Sequence, residues 1–185
     1  MTMVDARSAL GVLALVCALA LTGCTPDGPA EPTPSPTPAS QTPTETAQEK
    51  QERLDYAAAE KSYRIFRAEF NRVMRRGGAS TPTSLMNRTA GGSYLKEFAD
   101  IIEAYRGLKL HTVGSEAIVF VRPDGYSPSD IELEVCEDSR SIQEVDSSGK
   151  RTRAGEIRTA SLQVKRTTTG WKVWSGQGRK VSECS

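Results

Sequence analysis

The placement of proline divides this chain before any periodicity is considered. Seven of the ten prolines (Pro26, Pro29, Pro32, Pro34, Pro36, Pro38 and Pro43) fall between Cys24 and Ala47. The same stretch holds eight Ser or Thr, no aromatic residue and no aliphatic residue larger than alanine. With so little to bury, it cannot offset the entropy of ordering. Residues 24–47 therefore read as an extended, semi-rigid tether, reaching about 70 Å at ~3.1 Å per residue. Ser and Thr among prolines also fit a sugar-modified stalk. What folds must lie in residues 48–185, one domain of ordinary size with room for a core.

Ahead of the tether runs an uncharged segment, Ser8 to Gly23, of 16 residues, mostly Ala, Leu and Val. It falls short of the roughly 20 apolar residues that span a bilayer and suits the apolar core of a secretory signal. It closes on Leu21-Thr22-Gly23-Cys24. That ending resembles the lipobox of bacterial lipoproteins. The basic region before it is thin, with Arg7 set against Asp5. The resemblance implies that residues 1–23 are a signal peptide and that the Cys24 thiol receives a diacylglyceryl group. Cleavage just before Cys24 would then leave the protein lipid-anchored on the extracytoplasmic side of the cell membrane. The tether would lift the domain off the membrane.

That placement bears on the other cysteines. Cys17 leaves with the signal and Cys24 is consumed by lipid, so Cys136 and Cys184 remain. Two thiols outside the reducing cytosol favour a disulfide. A metal pair and free thiols are the competing readings. A metal site has only His111 to supply an imidazole, and no metal or other cofactor is expected. The net charge of +1 implies no polyanionic partner overall, and nucleic acid is not expected.

Within the domain, Tyr56, Ala59, Tyr63, Phe66, Phe70 and Val73 recur at steps of three and four. They predict one long helix over 48–76, stopped by Gly77-Gly78. Thr81-Pro82 reads as a cap and first turn of a short helix to Thr89. Ser93 reads as the cap of another, ended by Gly107, with Leu95, Phe98, Ile101, Ile102 and Tyr105 on its apolar face. From Leu108 the period changes to two. Strands are expected over 113–121, with Ala117, Val119 and Val121 on one face, then through Ile131, Leu133 and Val135, and over 141–145, 156–165 and 171–181. Pro123-Asp124-Gly125, Asp146-Ser147-Ser148-Gly149 and Thr167-Thr168-Thr169-Gly170 read as turns. Two or three helices followed by four to six antiparallel strands make an α+β domain, with N-terminal helices packed on a curved antiparallel sheet.

The run Val135-Cys136-Glu137-Asp138-Ser139, then Asp146-Ser147-Ser148-Gly149-Lys150, Gly170-Trp171 and the late Cys184, resembles a pattern in actinobacterial lipoproteins with an NTF2-like cone domain. The Ala, Arg, Thr and Gly content fits a high-GC bacterium. The resemblance implies a conical half-barrel whose concave face meets the long helix. It implies no common function.

Few residues suggest chemistry. His111 reads as structural or solvated rather than as a base. Asp138 shares the face of Cys136, so it is either one buried carboxylate or a turn and cap residue. No phosphate loop, nucleophile elbow or metal motif is present, and no catalytic residue is assigned. Arg64, Arg67, Arg72, Arg75 and Arg76 lie within thirteen residues. They read as cations near a helix C-terminus on a solvated face with Glu60 and Glu69, or as a contact for anionic head groups or wall polymers. Trp171 and Trp174 should face opposite sides, one in the core and one toward an interaction surface.

The leading expectation is a non-enzymatic lipoprotein presenting a domain that binds an envelope protein or a small apolar ligand. The alternatives are an isomerase-like or dehydratase-like enzyme of the cone fold, which requires an ionisable pair inside a cavity, and an accessory factor for transport, cell-wall assembly or phage exclusion.

Overall fold

A computed structural model describes residues 45–185. The expected signal peptide (residues 1–23), the expected lipid site Cys24 and residues 25–44 of the expected tether lie outside the described residues. Among the described residues no helix is long and apolar enough to cross a membrane.

The first helix, α1 (Ala47–Arg75), opens on a capping box. Thr46 N–H donates to Glu49 Oε2 at 2.7 Å, and Glu49 N–H donates to Thr46 Oγ1 at 3.2 Å. The expected apolar stripe is its buried face, through Ala59, Tyr63, Phe66, Phe70 and Val73. The helix ends where Gly77 and Gly78 take positive φ and Gly78 N–H donates to the Val73 carbonyl at 3.1 Å. A short α2 (Ser84–Thr89) and a longer α3 (Gly92–Leu108) follow.

Seven strands complete the chain: β1 (His111–Val113), β2 (Ala117–Tyr126), β3 (Asp130–Asp138), β4 (Gln143–Val145), β5 (Arg151–Ala154), β6 (Ile157–Thr167) and β7 (Gly170–Val181). They form a four-stranded antiparallel sheet in the order β2-β3-β6-β7 and a three-stranded one in the order β1-β4-β5. The core lies between the helices and one face of the larger sheet. There Phe66, Tyr94 and Ile102 meet Ile131, Leu133, Val135, Leu162 and Val164. On β3, Cys136 forms the expected disulfide with Cys184, which lies just past β7. The expected α+β class holds, with helices first and an antiparallel sheet after.

Several local expectations are corrected. Pro123-Asp124-Gly125 is no turn but part of β2, beside a register shift. β2 is an edge strand, where a missing N–H costs nothing on the outer side. A second register shift between Ile118 and Phe120 breaks the alternation. Ile118 and Val121 therefore pack on the core while Val119 is exposed. The cap of α2 is Thr83, which accepts from Met86 N–H, rather than Thr81. α3 starts before Ser93, at a glycine pair pressed under Trp174. A Cβ on Gly92 (φ +54) would come within 2.8 Å of the indole. Gly107 does not stop α3, because Lys109 takes the left-handed cap and Leu110 N–H reaches the Tyr105 carbonyl at 2.9 Å. β5, all polar and exposed, has no apolar alternation to announce it.

Candidate functional site

A cavity of about 400 Å³ opens between α1, α3 and the far ends of β3, β6 and β7. Its apolar wall is aromatic: Phe70 from α1, and Tyr94 and Phe98 from α3, with Tyr94 and Phe98 ring centroids 4.6 Å apart. The floor is built from Ala160, Leu162, Gly176 and Gly178. Ala160 on β6 pairs with Gly178 on β7, and Leu162 pairs with Gly176. Along the same two strands Val164 pairs with Val173 and fills the core. The change from Val to Ala and Gly at register-matched positions leaves the space.

One wall is ionic. Glu137 continues the buried series Ile131, Leu133, Val135 on β3, because every second residue faces the same side. Arg67 sits one helical turn from Tyr63 and between Phe66 and Phe70, on the buried side of α1. Its Nε lies 2.8 Å from Glu137 Oε1 and 3.1 Å from Glu116 Oε1, and its Nη2 bonds Glu116 Oε2. Tyr63 O–H donates to the same Glu137 Oε1. The guanidinium also lies 5.3 Å from the Phe70 ring centroid and 5.4 Å from that of Phe98. Arg67 side-chain exposure is 9% and that of Glu116 is 2%, so this ion cluster is desolvated.

Burial and the Glu116 charge push the Glu137 carboxyl above its ordinary range, against the pull of Arg67. Burial pushes the Tyr63 and Tyr94 phenols up as well, and Arg67 opposes this in both. Burial works against the Arg67 charge, but Glu137 and Glu116 hold it firmly protonated. Glu137 Oε2 takes no hydrogen bond among the described residues. No buried side-chain polar atom among them lacks a partner, so Oε2 meets the solvent of the cavity. Across the sheet Arg158 lies opposite Glu137 in register and is paired with Glu156 at 2.7 Å.

The residues singled out from sequence are dispersed. Asp138, the last residue of β3, caps the turn after it, accepting from Arg140 N–H at 3.0 Å and pairing with its guanidinium at 2.6 Å. Arg140 draws its carboxyl below the ordinary range. His111 lies on β1 opposite Val145 and does not line the cavity. The arginine cluster splits. Arg64 pairs with Glu60 and Arg72 with Glu69, while Arg75 and Arg76 are exposed at the helix end. Arg67 cannot meet an anionic surface because it points into the core. Trp171 is buried, and Trp174 brackets the start of α3. Among the described residues no group of three His, Cys, Asp or Glu is placed to hold a metal ion.

The ion pair of Glu137 and Arg67 is not among the sequence expectations, although its signal is present. Glu137 has the same parity as three core residues, and Arg67 the same helical face as three aromatics.

No family model matches the chain, and no curated protein matches it in sequence. Solved structures do. The intermembrane-space region of the chloroplast protein ARC6 is similar over 69% of this chain and 98% of its own, at 16% identity and a TM-score of 0.52. An NTF2-like protein with a cystatin-like fold from Novosphingobium aromaticivorans covers 77% of this chain and 95% of its own, at 11% identity and 0.47. A ketosteroid isomerase-like protein from Erwinia carotovora atroseptica covers 70% and 98%, at 14% identity and 0.42. At such identities the likeness concerns the fold alone.

Proposed function

We propose that this chain is a lipid-anchored, extracytoplasmic lipoprotein whose domain is a non-catalytic receptor for a small ligand, held in the cavity between α1, α3 and the β6–β7 floor. The observation that carries the reading is the cavity itself. Its volume of about 400 Å³ falls within the range of small-molecule sites. Register-matched small residues keep it open, and its acid and phenol are bonded to each other. Tyr63 has one phenolic proton, already given to Glu137, so it is not free to stabilise an oxyanion on a substrate. The anchor rests on Leu21-Thr22-Gly23-Cys24 and the tether behind it.

Two experiments test this. Cys24→Ala should abolish the acyl mass on the mature N-terminus and release the protein from membranes. Unchanged pelleting with no lipid mass would remove the anchor. Purified protein should carry a small molecule in organic extracts that a cavity-filling variant, Ala160→Leu, does not. Identical extracts would oppose the receptor reading.

The uncovered Oε2 of Glu137 favours a second reading, an acid–base enzyme of the isomerase or dehydratase kind. Chemical turnover of the extracted molecule by the wild type, lost in Glu137→Gln, would select it.

A further inference from the structure

We infer that the cavity takes a ligand bearing a protonated amine on a compact apolar body, with the ammonium seated at Glu137 Oε2. The inference rests on the receptor reading and adds the chemical class. Charges at the buried end of the cavity do not balance. Arg67 faces two buried carboxylates, Glu116 and Glu137. Arg158, the other cation in the wall, is exposed and shares Glu156 with Lys180, at 2.7 and 3.2 Å. Glu97, at the mouth on α3, has no ion pair among the described residues. With its groups ionised, the buried cluster of Arg67, Glu116 and Glu137 therefore carries one surplus negative charge in a low-dielectric setting, where an uncompensated carboxylate is costly.

The free acceptor is specific in position. Glu137 Oε1 is filled by Tyr63 and Arg67, and Oε2 is left toward the cavity. An ammonium donating there forms a charge-assisted bond and restores the balance. The rest of the ligand meets Tyr94, Phe98 and Leu162, which ask for a flat or alicyclic apolar body. The small floor residues Ala160 and Gly178 set how deep it sits. A carboxylate or phosphate ligand would face two buried acids at the same wall. Arg67 is already shared between those acids, and Arg158, which attracts Glu137, does so from an exposed position bonded to Glu156.

The test compares three probes with one ring system: 1-naphthylmethylamine, 1-naphthylmethanol and 1-naphthoate. Each is titrated calorimetrically at pH 7 into the mature protein, and into Glu137→Gln and Ala160→Leu. The amine should bind at least about tenfold more tightly than the alcohol, and the carboxylate least. Glu137→Gln should erase the preference for the amine while leaving alcohol binding within about threefold. Urea midpoints check that both variants fold. Alcohol or carboxylate binding that equals the amine, yet is blocked by Ala160→Leu, overturns the ligand class and leaves the receptor reading standing. Should no probe bind, or should every probe bind Ala160→Leu as well as wild type, the receptor reading itself falls.

Discussion

Nε of Arg67 lies 2.8 Å from Oε1 of Glu137, so a helix cation is seated directly against a strand carboxylate in the cavity wall. The contact joins α1 to β3 across the core, and Glu116 closes the cluster from the segment before β2. Arg67→Met removes the one charge that both acids share. The loss should be about 3–5 kcal/mol, the usual result of stranding a buried charge. Adding Glu116→Gln and Glu137→Gln should recover part of it. Arg64→Met, which touches only the exposed Glu60, should cost about 0–1 kcal/mol. Urea unfolding midpoints compare the two directly, and equal losses would mean that the buried cluster carries no special weight.

Two carboxyls should shift stability with pH in opposite directions. Glu69 is held at about 2 by Arg72 and, against burial, by the Thr83 hydroxyl, from an ordinary 4.5. The folded state binds fewer protons than the unfolded chain between those values. Its contribution is complete above pH 4.5 and is lost as pH falls toward 2. Glu69→Gln should therefore cost about 1–3 kcal/mol at pH 7, and the gap to wild type should close in acid. Glu137 is raised, so its folded form takes up a proton more readily and its charge penalty is relieved as pH falls. Carboxyl carbon NMR titrations should place the Glu137 midpoint above 4.5 and that of Glu69 near 2. Reversed positions would refute both assignments.

Much of the architecture was legible because burial imposes a period. The stripe Ala59–Tyr63–Phe66–Phe70–Val73 and the alternation Ile131–Leu133–Val135 each state which side is dry. Reading failed where geometry departs from the period. The register shift at Val119 moved the core face of β2, and β5 has no apolar side at all. The site was harder for a different reason. Glu137 and Arg67 lie at core positions but are charged, and a charge at one core position makes sense only when its partner, 70 residues away, is known. Asp138, the acid that the sequence offers more readily, shares the parity of Cys136, which faces the opposite side of β3.

The disulfide joins Cys136 on β3 to Cys184 just past β7, a sequence separation of 48. Closing a loop of that length stabilises by about 4 kcal/mol in the chain-entropy model. Cys184→Ser, or reduction under native conditions, should lower the urea midpoint by a corresponding amount while the domain stays folded in buffer. A folded oxidised protein with two titratable thiols among these cysteines would show that the bond does not form.

The junction between α1 and α3 supports the cavity from behind, and a glycine pair tests it. Gly78 and Gly149 both lie in the left-handed region, at φ +80 and +84. A methyl at Gly149 enters open space, so Gly149→Ala bears only the backbone strain, about 1–2 kcal/mol. A methyl at Gly78 collides with the Ile102 carbonyl and comes within 2.8 Å of Arg106 N. Ala79 N–H, one residue on, donates to that same carbonyl at 3.0 Å. Relief of the collision must push α3 away from α1, and Phe98 with it, from an edge contact of 4.7 Å on Phe70. Gly78→Ala should therefore lose about 1–3 kcal/mol more than Gly149→Ala, the usual range for overpacking. It should also weaken any probe bound in the cavity, which Gly149→Ala should not. Equal effects from the two substitutions would mean that the helices can part at this junction without disturbing the site between them.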